Sequence, residues 1–517
     1  MNMKPRLIHV AEPRLEFRFG QKTEYPRDGL YLFGPVDAGE SPRPIRYGFI
    51  GTTDSLRRFG EWATQVSHYI DVPVPGRLSK ATSPQHVPFP GFGEAFNSLW
   101  SSTPVRTISD IDSKELYRLM CIDNRHEAIK AVVDVFVDRL IAEHKRLEDP
   151  PSFWYVVIPD FIFEMGRPNS TVAVAERVKG SVRISEKNAA NLAVQPTLFG
   201  IAEEEAGVYK YAKNFRRQLK ARLLDHQIVT QIVRESTLAP NDFLKANGKD
   251  PKRRLEDPAT VAWKLCTGSY YKSGGRPWQL GDMRAGVCYV GLVYKKQPDS
   301  SDPRYSCCAA QMFLSDGEGV VFRGALGPWF NPDRREYHLD TQSARRLIET
   351  VLDEYRYRHQ ADPEELFIHA KSSFNDDEWN GFLEAATGHA TNVVGVQISD
   401  AWDQIKLFRP GAYPVIRGTA LLTGRRSGFL WTTGYVPRLD TYMGPETPNP
   451  LQVIVRRGDA DIQAVMSDVL SLSKINFNTC LFNDREPVTI KFADAIGDIL
   501  TAAPLDSEPK LPFKFYI

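Results

Sequence analysis

The sequence predicts an α/β protein of two units, and three observations carry the prediction. Between residues 45 and 163, short apolar runs of strand length alternate with segments of helical period, the order that builds a parallel sheet. From residue 286 onward the texture changes to three strands joined by short turns, then helix, strand, helix, strand. The chain has 517 residues, 42% hydrophobic and 25% charged, close to globular averages and long enough for two to four domains.

Taken in order, residues 1–44 read as an extended arm rich in proline and glycine, with PRDGLYLFGP (26–35) at its centre. IRYGFIGT (45–52) is a buried strand, followed by a helix over 54–70 with Asp54 as its N-cap. A proline-rich loop covers 72–91. A long helix over 124–147 carries its apolar stripe on Ile129, Val132, Val133, Phe136 and Leu140. SFWYVVIPDFIF (152–163) is a second buried strand run, and the order strand, helix, helix, strand gives a Rossmann-like parallel sheet. A basic helix (216–224), the strand IVTQIV (228–233) and a helix over 258–271 that stops at Gly274-Gly275 complete this unit.

The second unit opens with GVCYVGLVYK (286–295), SCCAAQMFLSD (306–316) and GVVFRG (319–324). A helix (340–358), the strand ELFIHA (365–370), a helix (375–386) and the strand TNVVGVQI (391–398) follow. Three antiparallel strands and then helix, strand, helix, strand is the order of an RNase H-like fold. The last third adds strands between 415 and 433 and helices over 459–472 and 492–502. Internal repeats and low-complexity segments are absent from the sequence.

Lysine plus arginine number 65 against 64 acidic residues, a formal charge of +1, which disfavours coating of nucleic acid through bulk charge and leaves room for a local basic site. No apolar run approaches the roughly 18 residues of a membrane span, and MNMKPRLIHVAEPRLEF carries charge where a signal peptide needs its apolar core. The cysteines Cys121, Cys266, Cys288, Cys307, Cys308 and Cys480 form no CxxC pair and read as reduced core thiols. A soluble, cytoplasmic chain is expected.

The strongest local feature is KNFRRQLKARL, in which Lys213, Arg216, Arg217, Lys220 and Arg222 crowd positive charge onto one helix. Arg216 and Lys220 stand four apart and share a face. Gln231 follows on a buried strand, then Lys264 and Lys272 on a helix ending at the double glycine. Several cations and an amide suit a terminal phosphate, which takes multiple charge-assisted donors. GFGEAF (91–96) follows a loop rather than a strand and is discarded as a nucleotide motif. The ten histidines show no metal-ligand spacing. An RNase H-like nuclease needs carboxylates near its strand ends to hold two metal ions. Here the first strand offers Leu292, Val293 and Tyr294, and the strand expected to bear a second acid offers His369, Ala370 and Lys371. Asp316, Glu318 and Asp494 are the acids left elsewhere.

These residues together resemble a short prokaryotic Argonaute, made of a MID and a PIWI domain; the likeness is most specific at KNFRRQLKARLLDHQIVTQIVREST, YYKSGGRPW and YVGLVYK. The resemblance implies an arm (1–44), a Rossmann-like MID domain (45–278) and an RNase H-like PIWI domain (279–517). It places the guide 5′-phosphate site on Arg216, Lys220, Gln231 and Lys272, with Arg216 replacing the usual aromatic or histidine. It also implies a Mg²⁺ ion between that phosphate and a carboxylate on Ile517, although Gly268 matches the glutamine that usually helps hold it and Lys264 would substitute as a fixed charge. The PIWI catalytic aspartates match Val293 and Ala370, while Asp494 matches a retained acid, so guided binding without slicing is expected. Guide RNA, target single-stranded DNA and a separate APAZ-containing effector chain are the partners implied, the effector often a TIR or sirtuin-like NAD-hydrolysing domain and sometimes a nuclease. The alternative is an active nuclease with a rearranged metal site built from Asp316, Asp494 and an acid of the 340–358 helix.

Overall fold

The computed structural model describes residues 4–72, 85–194, 205–295, 307–313, 319–326, 329–331, 336–389, 391–401, 403–442, 447–504 and 511–517. Strand β1 (Arg6–His9) and helix α1 (Pro26–Leu32) lie in the arm. The expected extended conformation of PRDGLYLFGP is therefore corrected to a helix. Pro26 sits at its first position, where the fixed φ suits a helix and no amide is lost.

The first unit is a four-stranded parallel sheet. Strand β2 (Tyr47–Ile50) leads into helix α2 (Thr53–Gln65), whose N-cap is Thr52, accepting from the Ser55 amide, and not the expected Asp54. Strand β3 (Arg106–Ile108), exposed and charged, was not legible in the sequence. Helix α3 (Arg125–Arg146) and strands β4 (Phe153–Ile158) and β5 (Thr230–Arg234) complete the sheet, in the order β3-β2-β4-β5. All six residues of β4 are buried because both faces are covered. Phe153, Tyr155 and Val157 join the core with Phe59, Trp62 and Trp263, while Trp154, Val156 and Ile158 meet the stripe of α3. Helices α4 (Phe215–Leu224) and α5 (Pro258–Lys272) flank β5 in sequence; Gly274, at φ 95°, ends the second of them.

The second unit is built on a ten-stranded mixed sheet. Its centre holds β6 (Val287–Lys295), β7 (Cys307–Phe313) and β8 (Gly319–Leu326), followed by helix α6 (Thr341–His359), β9 (Glu365–Ala370), helix α7 (Asp376–Ala386) and β10 (Asn392–Asp400). Strands β11 (Thr419–Leu422), β12 (Ser427–Leu430) and β13 (Leu451–Arg457), helices α8 (Ile462–Leu472) and α9 (Val488–Leu500) and the short β14 (Leu511–Pro512) close the chain. The order is β1-β11-β12-β13-β10-β9-β6-β7-β8-β14, with β6, β9 and β10 parallel. Helices α6 and α7 cover one face through Leu347, Ile348, Val351 and Phe382; α8 and α9 cover the other through Val465, Val469, Ile490 and Ile496. Helix α9 comes so close to β6 that a Cβ on Gly291 would lie 1.8 Å from the Thr489 carbonyl oxygen.

The arm is knitted into this second sheet. Strand β1 pairs antiparallel with β11, and just beyond it Glu12 accepts from Arg417 at 2.9 Å and Lys474 at 2.7 Å, both buried. Cys121, Cys266, Cys288 and Cys480 are buried free thiols, as expected of core cysteines; burial pushes the Cys480 thiol up to about 11. No described helix is long and apolar enough to cross a membrane.

Candidate functional site

Helix α4 starts at Asn214, whose side chain accepts from the Arg217 amide, and is anchored by buried Leu219 and Leu223. Of its basic residues, Arg217 pairs with Asp498 at 2.6 Å and Arg222 with Asp134. Arg216 and Lys220, one turn apart, make no ion pair among the described residues. Lys220 is 2% exposed, and its Nζ donates to the Thr230 carbonyl at 3.1 Å, to Thr230 Oγ1 at 3.3 Å and to the main-chain oxygen of Ile517. Lys272, the last residue of α5, is 1% exposed and donates to Gln231 Oε1. Gln231 comes from β5, so the helix–strand–helix sequence of the first unit brings Arg216, Lys220, Gln231 and Lys272 to one spot.

Burial pushes the Lys220 ammonium well below its ordinary value, and repulsion from Lys272 and Arg216 adds to it. Lys272 is lowered for the same two reasons, burial first and Arg216 second. Arg216 stays open to solvent; partial desolvation and then repulsion from Arg217 lower it as well. Three basic groups brought together with no acidic side chain against the two lysines among the described residues form an arrangement that an incoming anion would relieve.

Lys264 is not part of this group. It stands two turns before Lys272 on α5, about 12 Å along the axis, and is held by Glu256 at 2.5 Å. Two groups at the pocket escaped sequence reasoning. Thr230 supplies two oxygens to Lys220, and Asn478, from the second unit, brings its Oδ1 to 3.8 Å from where a Cβ on Gly268 would stand. Gly268 itself faces Gln231 Oε1 at 3.6 Å on the same measure. Of the oxygens near the expected Mg²⁺ position, Gln231 Oε1 accepts from Lys272 and the main-chain oxygen of Ile517 from Lys220.

A second locus lies at the carboxyl ends of β6 and β9. Their parallel register sets Leu292 opposite Ala370, with Val293 next along. Val293 and Ala370 are 4% and 1% exposed and offer no oxygen ligand. His369 is held down at about 3 by burial and sits 2.9 Å from Thr489 Oγ1, a packing role. Asp494, on α9, contacts Lys295 at 3.0 Å and Lys371 at 3.5 Å. Lys295 also reaches Asp498 at 3.3 Å, and Lys371 reaches Glu486 at 3.3 Å. Among the described residues no group of three His, Cys, Asp or Glu side chains is placed to hold a metal ion. Asp316 and Glu318 lie outside the described residues, and on α6 Glu349 and Glu354 pair with Arg345 and Arg358 of their own helix.

No family model matches the sequence, and no curated protein matches it. Solved structures do. Clostridium butyricum Argonaute bound to a guide DNA and a 19-mer target DNA superposes with a TM-score of 0.59 at 15% identity, covering 100% of this chain and 55% of that one. The Argonaute of A. aeolicus superposes with a TM-score of 0.54 at 13% identity, covering 96% and 54%. A structure of Aa-Ago with externally bound siRNA gives 0.55 at 14% identity, covering 99% and 56%. The chain thus spans about half the length of these proteins. The likeness establishes the fold, a Rossmann-like MID unit followed by an RNase H-like PIWI unit.

Proposed function

We propose that this chain is a nucleic-acid-guided recognition module that binds a guide, RNA by our reading, by its 5′ phosphate and pairs it with complementary single-stranded DNA without cutting. One observation carries the reading: Lys220 and Lys272 are buried beside Arg216, and among the described residues neither meets an acidic side chain. A phosphate monoester carries −1.5 to −2 charges and three acceptor oxygens, which matches three convergent cations and an amide. Sequence would be read by base pairing and the protein would read the guide end and backbone, a division used by other guided systems.

The buried apolar pair Val293 and Ala370 supports a binding role over a cutting one, because two-metal hydrolysis needs oxygen ligands that these positions lack. We propose further that the chain acts in the cytoplasm in an antiviral defence system, with an APAZ-containing effector chain, TIR or sirtuin-like and NAD-depleting, which guided target binding switches on. Copurification with the neighbouring gene product and an NAD assay with matched guide and target test that step.

The central experiment compares 5′-phosphorylated with 5′-hydroxyl guides on wild type and on Lys220→Ala and Lys272→Ala. Each lysine contributes on the order of 1.5–3 kcal/mol to a charged contact, so affinity for phosphorylated guides falls about tenfold or more while hydroxyl guides change little. Equal losses for both guides would reduce these lysines to a general basic face.

A further inference from the structure

The ends of β6 and β9 hold a second group of cations that the guide pocket does not use. Lys295 follows Val293 by two residues and so leaves the same face of its strand. Lys371 directly follows Ala370. Both ammonium groups converge on one oxygen, Asp494 Oδ1, at 3.0 and 3.5 Å. A two-metal nuclease uses its cations at this kind of place to clamp the phosphodiester. Here the flanking positions are apolar and the positive charge is covalently attached.

We propose that Lys295 and Lys371 form a metal-free phosphodiester-binding site on the PIWI unit, gripping the backbone of a paired nucleic acid where a nuclease would grip it with metal ions. The proposal deepens the guided-binding reading and rests on it for the identity of the ligand as a guide–target duplex. Three observations carry it. The side chains of Lys295 and Lys371 are 24% and 42% exposed, so the pair faces solvent and not the core. The site lies at the carboxyl ends of neighbouring parallel strands, where open α/β sheets bind ligands. Exposed ion pairs add little to stability, so the fold alone gives weak reason to gather two lysines on one carboxylate oxygen. Asp494, Asp498 and Glu486 hold the ammonium groups in place without ligand, and a phosphodiester oxygen competes with Asp494 for both. No bond is made or broken.

The test uses the full chain and a preformed RNA–DNA hybrid with 5′-hydroxyl ends, which does not engage the phosphate pocket, titrated with salt. Each phosphate contact contributes a slope of about 0.9 in the logarithm of the association constant against that of salt. Replacing both lysines (K295M/K371M) is expected to lower the slope by about 1.8 and the low-salt affinity at least tenfold. K295R/K371R keeps both, and D494N, which removes the competing carboxylate, tightens binding. Chelation with EDTA leaves wild-type binding unchanged. A control that removes two exposed charges elsewhere, R57M/R118M, keeps the wild-type slope. An unchanged slope in K295M/K371M, an equal loss in the control, weakening by D494N, loss of binding in EDTA, or a wild type that ignores the hybrid would each overturn the proposal. The preference for 5′-phosphorylated guides reports separately on Lys220 and Lys272, so failure of the pocket reading and failure of this site give different results.

Discussion

Between α4, β5 and α5, Lys220 and Lys272 are almost fully buried and meet no acidic side chain among the described residues, whereas at the ends of β6 and β9 Lys295 and Lys371 are partly open and each meets two carboxylates. The same residue type is thus used in two electrostatic states on one molecule. The first group keeps its lysines from solvent and, among the described residues, from any acidic side chain. The second sets two lysines among three carboxylates, Asp494, Asp498 and Glu486, so its positive charge is already countered within the chain. On the proposed reading, burial without an acidic side chain suits a tightly held terminal phosphate, and exposure with counter-charge suits passing backbone phosphates along.

The comparison can be broken or sharpened by experiment. The largest effect is expected at a third group that supplies its calibration, Glu12 between buried Arg417 and Lys474. Glu12→Gln leaves buried Arg417 and Lys474 with main-chain and hydroxyl oxygens but without the carboxylate they share, and should cost about 3–5 kcal/mol in denaturant unfolding. Those cations hold the Glu12 carboxyl below its usual value despite burial. Its contribution is therefore complete above the unfolded-state value and is lost as pH falls through the folded one, so acidification should weaken the wild type and spare the variant.

Next in size is the pocket. The Lys220 and Lys272 values are lowered on folding, so the folded chain disfavours their protonation. Guide-free stability should rise with pH up to the ordinary lysine value of 10.5, and Lys220→Met should raise the melting temperature of the guide-free protein while weakening guide binding. A melting temperature that falls in Lys220→Met would mean that the pocket is already neutralised. For binding the sign reverses. A phosphate raises the lysine values again, so calorimetry below pH 10.5 in two buffers of different ionisation enthalpy should show proton uptake, and affinity should climb as pH falls toward about 7, above the second phosphate ionisation near 6. The smallest effect on stability is expected at the open site, where K295M/K371M should move unfolding by no more than about 1 kcal/mol. A loss as large as that of Glu12→Gln would make the open group structural and erase the contrast.

Much of this was legible in the sequence, for physical reasons that differ by region. Strand β9 was placed residue for residue and β4 within its run, because a strand covered on both faces reads as an unbroken apolar run. Helices α3, α6 and α7 begin one residue after Asn124, Asp340 and Asn375, whose side chains cap them. The pocket residues Arg216, Lys220, Gln231 and Lys272 were found because three consecutive elements carry them. What was missed depends on distant partners. Nothing local tells that Arg217 turns to Asp498, 281 residues away, while Arg216 does not. Lys264 shares a helix with Lys272, and only its meeting with Glu256 takes it out of the site. Strand β13, LQVIVRR, does alternate buried and half-buried residues, but it follows a proline-rich stretch that masked it. Lys295 and Lys371 sat inside motifs judged only for the acids they lack.

The pairing of β1 with β11 has a consequence for how the protein is made. The four strands of the parallel sheet are all present once residue 234 has been synthesised. The arm that precedes them is still waiting then, because Glu12 finds Arg417 and Lys474 only 405 and 462 residues later. At 5–20 residues per second, that wait lasts roughly 20–90 s. A segment that leaves the ribosome before the parallel sheet is thus secured after it, and a protease added to nascent chains should trim the arm long after the neighbouring sheet has become resistant.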